Sequence, residues 1–323
     1  MKLSPLLSLA AVALAIPAEK RATGRTSPPS GCKIVRQGTT TTGEYKTIAS
    51  AISSLSGTAA ACIFIYQGTY AENFTISYGG ALTVYGYTTD IGSYKQNTVT
   101  VTHTISSPET GNLDASSTIQ VKSANFKMYN VNVKNGYGKG AQAVALTANG
   151  NQQGYYGCGF YGYQDTLYAK AGYQYYSNCY IEGAVDYIFG DAAAWFGECT
   201  IASYGAGYVT ANSRESSSDT GWYVFDHSAV TAASGASVTG LVYLGRPWRV
   251  LARVIYQYST LTNVVNAKGW APMADGATPI FEEYSNTGDG SSTASRVYLT
   301  KATAAVTKSQ LWPNGYGWID TSY

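Results

Sequence analysis

The chain has 323 residues, 45% of them hydrophobic and only 12% charged, with a formal net charge of +2. So large an apolar share can fill a substantial core and excludes a disordered polymer, while the absence of any basic run or acidic tail excludes the electrostatic footprint of a nucleic-acid binder. With 35 Gly, 29 Tyr and many Thr and Ser, the composition is that of an exported β-protein rather than a helical cytosolic one.

The N-terminus reads as an export signal over residues 1–18. Met1-Lys2 supplies the positive start, Leu3 to Ala15 the apolar stretch, and cleavage is expected after Ala15 or Ala18. The stretch is too short to span a membrane. Residues 19–31, with the dibasic pair Lys20-Arg21, read as a short linker or pro-segment, and 32–323 as a single domain. In an extracellular destination the sequon Asn73-Phe74-Thr75 is a candidate glycosylation site. Five cysteines are an odd number, so at least one thiol is free or pairs with another chain. Two histidines and no Cys-x-x-Cys argue against a metal site.

Tyr45, Ile48, Ile52 and Leu55 recur at helical spacing and predict a short amphipathic helix over 45–55, placed to cap one end of the fold. Short strands punctuated by Gly and polar turns follow at 62–66, 82–85, 98–102, 117–121 and 131–133. Then comes a repeat. Tyr155-Tyr156-Gly157-Cys158-Gly159-Phe160 aligns with Tyr176-Ser177-Asn178-Cys179-Tyr180-Ile181 and with Phe196-Gly197-Glu198-Cys199-Thr200-Ile201, at shifts of 21 and 20 residues. A period near that length marks a solenoid, and about three short strands per turn make it a right-handed parallel β-helix of the all-β class. An antiparallel sandwich would need tight hairpins and leaves the repeat unexplained. From about Thr278 the rhythm fades, predicting an irregular tail with short helical pieces. The column Cys158, Cys179, Cys199 fits buried thiols or disulfides equally.

Asp165 and Asp186 each lie seven residues after a repeat cysteine, so the two carboxylates are expected on adjacent turns, about one strand spacing or ~4.8 Å apart. The third repeat has Ala206 at that position, so the carboxylate is not part of the structural repeat. Like charges so close cannot easily both ionise; one is a proton donor and the other a nucleophile or base. A guanidinium beside one of them would settle which, and Arg246, in Leu244-Gly245-Arg246-Pro247-Trp248, is the candidate. Glu72 lies far upstream and reads as structural. His103 and His227 have no serine elbow beside them, which argues against a Ser-His-Asp triad.

The segments Gly162-Tyr163-Gln164-Asp165-Thr166-Leu167-Tyr168, Gly183-Ala184-Val185-Asp186-Tyr187-Ile188-Phe189-Gly190 and Leu244-Gly245-Arg246-Pro247-Trp248 together resemble the signatures of the pectin methylesterases, a carbohydrate esterase family, in a fungal secreted form. Gly68-Thr69-Tyr70-Ala71-Glu72 and Gln142-Ala143-Val144-Ala145-Leu146 are two further matches in the family's order. The resemblance implies Asp186 as nucleophile and Asp165 as general acid and base. It implies Gln142 and Gln164 as oxyanion donors, Arg246 as the residue orienting Asp186, and Trp248, Tyr168, Val185 and Phe189 as substrate contacts along with Arg246. Tyr187 departs from the Phe of many relatives. The implied partner is pectin, with no cofactor and no metal, and a capped solenoid can be monomeric.

Two other readings are open to the residues. A carboxylate pair at this separation also suits a retaining glycosidase, so the chain could be a β-helical pectin depolymerase, either hydrolase or lyase. It could also be a non-catalytic polysaccharide-binding solenoid. One geometric conflict is visible: on an extended strand Gln164 and Asp165 point to opposite faces, so serving one cleft requires a bend.

Overall fold

The computed structural model describes residues 24–323; the export signal and the start of the linker lie outside the described residues. The chain winds through parallel strands stacked into three faces. The first face is a twelve-stranded sheet running from Glu44–Tyr45 and Lys33–Val35 to Ile280–Tyr284 and Leu299–Lys301, with every pairing parallel. A second stack begins at Gly68–Ala71 and Val99–His103, a third at Phe74–Ile76 and Ile119–Val121. Two strands, Tyr180–Gly190 and Thr200–Asn212, are long enough to pass through the corner and belong to both stacks. At that level the second and third faces fuse.

Sharp corners after three to five residues need a backbone that breaks the strand without losing the ladder. Asn130, Gly157, Asn178, Glu198, His227 and Tyr258 all adopt left-handed φ between 49° and 57°, each directly before the column Val131, Cys158, Cys179, Cys199, Ser228, Ser259. Asn and Gly take this conformation readily, whereas Glu, His and Tyr pay about 1–2 kcal/mol for it. Interturn bonds offset that cost: Glu198 N donates to Asp226 O at 3.0 Å, His227 N to Gln257 O at 3.2 Å and Tyr258 N to Tyr284 O at 3.0 Å.

Inside, the repeat places like on like. Tyr155, Tyr176, Phe196, Phe225 and Tyr256 stack ring on ring at 4.4–4.9 Å with planes within 9°. The cysteine column consists of free, buried thiols, each donating to a carbonyl of the preceding turn, as Cys179 Sγ does to Tyr155 O at 3.4 Å. The disulfide is Cys32–Cys62, joining neighbouring strands of the first face.

The predicted cap is the helix Ile48–Ser53. Thr47 accepts from Ser50 N, and the carboxylate of Glu72 accepts from Ile48 N at 2.9 Å and Ala49 N at 3.0 Å, so Glu72 anchors the helix N-terminus as a structural residue. The tail keeps the solenoid rhythm longer than expected, adding the last two strands of the first face before the short helix Lys308–Leu311. It then folds back over that face. Trp312 Nε1 donates to Ala193 O at 3.0 Å, Asp320 accepts from Tyr129 Oη at 3.0 Å, and Asp320 N donates to Tyr156 Oη at 2.8 Å. Residues 24–31, read above as linker, also dock there: Arg25 lies over the Tyr85 ring, 4.7 Å from its centroid, and bonds Asn130 Oδ1 at 3.2 Å. Much of the tyrosine surplus serves this covering layer. No helix among the described residues is long and apolar enough to cross a membrane.

Candidate active site

On the third face one cleft, with about 390 Å³ of empty volume, is lined by Leu113, Gln142, Gln164, Asp165, Asp186, Phe189, Ala211, Trp248 and Met273. Its floor is built from successive turns. Leu146 pairs with Leu167, Leu167 with Ile188, and Gln164 with Val185 through an isolated bridge, so the register stacks Asp165 directly against Asp186.

Both aspartates hold left-handed backbone conformations, φ 63° at Asp165 and 51° at Asp186. Asp tolerates this region better than most residues, and here it does what the sequence demanded: the turn at Asp165 breaks the alternation, so Gln164 and Asp165 face the same cleft. Strained backbone of this kind costs of order 1–3 kcal/mol and clusters at functional sites.

The two carboxylates are buried alike, Asp186 at 6% and Asp165 at 7% exposure, yet their partners differ. Arg246 grips Asp186 with two parallel bonds, Nε to Oδ1 at 2.8 Å and Nη2 to Oδ2 at 2.6 Å, a geometry only a guanidinium supplies. Its far face lies on the Tyr208 ring, 3.9 Å from the centroid. Gly245 makes room for this approach: a Cβ there would sit 2.0 Å from Thr210 Oγ1, preventing the strand Val242–Pro247 from closing on its neighbour. Asp165 has no hydrogen-bond partner for its carboxyl among the described residues. Burial first, and then the charge of Asp186, push its pKa up to about 8, against a smaller lowering by Arg246. Among the described residues the side-chain amides of Gln142 and Gln164 likewise have no hydrogen-bond partner, and both line the cleft.

Aromatic groups form one wall. Tyr168 stacks on Phe189 at 4.2 Å and Phe189 meets Trp248 at 5.9 Å. Tyr168, half-buried on the rung beside Phe189, extends the wall along the face without reaching the floor of the cleft, and Val185 does not line it either: it pairs through its backbone and its side chain lies over Gly207. Leu113, Ala211, Met273 and the Tyr208 beneath Arg246 were not foreseen. Leu113 and Met273 arrive on loops far from the repeat, and nothing local in the sequence marks them. His227 stands on a corner beside Asp226 and Tyr258, outside the cleft. Ala206, the residue seven after Cys199, is not the spatial counterpart of Asp186, because the register slips there and Val185 pairs with Tyr208.

The model of the pectinesterase family matches residues 34–312. The chain belongs to the pectinesterase family. It is therefore a carboxylic ester hydrolase. Pectinesterase A of Emericella nidulans is 60% identical over 321 residues, covering 98% of both chains. The crystal structure of the deglycosylated pectin methylesterase from Aspergillus niger is 60% identical and superposes with a TM-score of 0.89 over 93% of this chain and all of that one. The carrot pectin methylesterase, 26% identical, gives 0.74 over 86% of this chain and 90% of its own. The enzyme shares with these structures the right-handed parallel β-helix.

Proposed function

We propose that this pectinesterase hydrolyses methyl esters of galacturonate in pectin, with Asp186 as nucleophile and Asp165 as proton shuttle. The observation that carries the roles is the unequal surroundings of two equally buried carboxylates. Asp186, paired with Arg246, is the carboxylate that attacks the ester carbonyl carbon. The oxyanion of the tetrahedral intermediate takes N–H donors from Gln142 and Gln164. Asp165, protonated through the neutral range, gives its proton to the departing methoxide oxygen; methanol leaves and an acyl-enzyme anhydride remains. Asp165, now ionised, takes a proton from water, whose oxygen attacks the substrate-side carbonyl of the anhydride; galacturonic acid leaves and loses its proton to solvent, and Asp186 is restored as carboxylate with Asp165 again protonated. Trp248 and Phe189 supply apolar surface for the sugar ring and its methyl group.

Pectin as substrate is supported by the similar proteins from Aspergillus niger and carrot, which are pectin methylesterases. An extracellular place of action fits both the N-terminal signal and such a substrate, and the exposed Asn73 is open to a glycan. Methanol release from highly methylated pectin without loss of polymer viscosity is the expected result. New reducing ends or unsaturated products would overturn it in favour of chain cleavage.

A further inference from the structure

Each aspartate of the cleft is followed by a buried hydroxyl that takes no part in the proton transfers. Thr166 follows Asp165 and Tyr187 follows Asp186, and both side chains are fully buried. Leu167 and Ile188, the next residues along each rung, are equally buried and apolar. A hydroxyl in such surroundings destabilises the fold unless it is bonded. Both are bonded, and each bond runs to the following rung. Thr166 Oγ1 donates to Glu182 O at 2.9 Å, at the start of the segment that carries Asp186. Tyr187 Oη and Ser203 Oγ share a bond of 2.9 Å on the rung beyond, where Ser203 pairs with Gly183.

Two glycines make room for these side chains. Gly162 and Gly183 each stand three residues before an aspartate. A Cβ on Gly162 would lie 2.6 Å from Thr166 Oγ1, and one on Gly183 would collide with Tyr187 Cβ and lie 2.9 Å from Thr166 Oγ1. The sequence module is thus Gly-x-x-Asp followed by a hydroxyl, as Gly162-Tyr163-Gln164-Asp165-Thr166 and Gly183-Ala184-Val185-Asp186-Tyr187. It fixes the hydroxyl at the foot of a turn whose φ, 63° or 51°, persists at a non-glycine residue only where the surroundings constrain it. Arg246 has matching support: Thr210 Oγ1, also buried, donates to Leu244 O at 3.0 Å, two residues before Arg246. Valine and phenylalanine would fill the volumes of Thr166 and Tyr187 with no hydrogen-bond requirement, so packing alone does not account for the hydroxyls.

We propose that Thr166 and Tyr187 are positioning residues, each tying the left-handed turn of one aspartate to the following rung so that the two carboxylates keep their separation and aim. Both act through the aspartate that precedes them in the chain. The proposal rests on the roles given above to Asp165 and Asp186, and it concerns how those groups are held rather than which groups react.

The test measures methanol release from methylated pectin by Thr166→Val and Tyr187→Phe in the intact enzyme. Each lowers kcat about two- to ten-fold, the range of one buried hydrogen bond, and leaves KM unchanged. Thr166→Ser, which keeps the donor, restores kcat. In Thr166→Val the alkaline limb of the pH–rate profile also moves to lower pH. The charged and titratable groups around Asp165 are Asp186, Arg246 and Tyr168, and burial is the largest cause of its pKa of about 8; a relaxed turn admits water and lets that value fall. A purely structural role is separated by combining Tyr187→Phe with Ser203→Ala. Removing both hydroxyls leaves no unpaired group, so the thermal midpoint returns toward that of the wild type, whereas kcat stays low. Recovery of kcat together with the midpoint overturns the proposal, as does wild-type kcat in Thr166→Val. Wild-type turnover in Asp186→Asn would instead sink the assignment of the nucleophile.

Discussion

Asp165 and Asp186 occupy the same left-handed turn on adjacent rungs of the solenoid, and only one of them is held by a cation. Shape makes the two residues equivalent and Arg246 makes them different. The consequences are open to experiment.

Replacing Asp186 by Asn should remove the nucleophile and leave the cleft intact. Methanol release is expected to fall by at least ~10⁴-fold, with pectin binding retained. Asp165→Asn should be severely impaired as well, since both the departure of methanol and the activation of water lose their proton carrier. Wild-type turnover in both variants would refute the assigned roles.

The raised pKa of Asp165 has a cost in stability. Its folded value, about 8, lies above the ordinary 3.8, so the folded state holds a proton that the unfolded state has lost between those values. Stability conferred on the folded state by protonated Asp165 is complete below about 4 and declines toward about 8, by up to about 1.4 kcal/mol per pH unit. Asp165→Asn, which cannot ionise, should therefore raise the unfolding temperature relative to wild type at pH 7 and not at pH 4. For the same reason kcat/KM should fall on the alkaline side as pH passes through about 8, where the acid form is lost. Thermal scans at the two pH values check the first expectation, and a pH–rate profile the second.

Arg246→Lys keeps a positive charge but loses the two-pronged grip and the stacking on Tyr208. A drop in kcat of about 10²- to 10³-fold is expected. Arg246→Ala should also lower the unfolding midpoint, because Asp186 is left buried without its partner, a loss of roughly 3–5 kcal/mol. Equal stability of the two variants would argue that the pair contributes only to orientation.

Phe196 sits at the centre of the inner aromatic column, between Tyr176 and Phe225. Phe196→Ala should cost about 3–5 kcal/mol, read as a lower denaturant midpoint. Because Phe196 stands on the first face and does not line the cleft, kcat on the remaining folded protein should be unchanged.

The stacking of turns was legible in the sequence because a residue that points inward at a corner must be small, and Cys158, Cys179 and Cys199 repeat that requirement in register. The same register placed Asp165 beside Asp186. It did not carry past Cys199, where the chain lengthens so that Val185 meets Tyr208 and Ala206 falls outside the pattern. The bend at Asp165 could be seen only as a contradiction with Gln164, since left-handed φ at an Asp leaves no mark in composition. Pairing at Cys32 and Cys62 depends on strands that become neighbours through the fold, and Met273 and Leu113 reach the cleft on loops with no period to follow. The tail reads as irregular because its two strands are separated by fourteen residues without rhythm, and sheet pairing alone identifies them.

Stacked parallel rungs with open backbone groups at each end are one pairing step away from growing like a fibril. Here the outermost strands of the first face are Glu44–Tyr45 and Leu299–Lys301, two and three residues long. The first lies beside the helix anchored by Glu72, and from the second the chain turns away to lie across the sheet. Neither rim of this face offers a template long enough to recruit another copy, so the sheet ends without seeding its own aggregation.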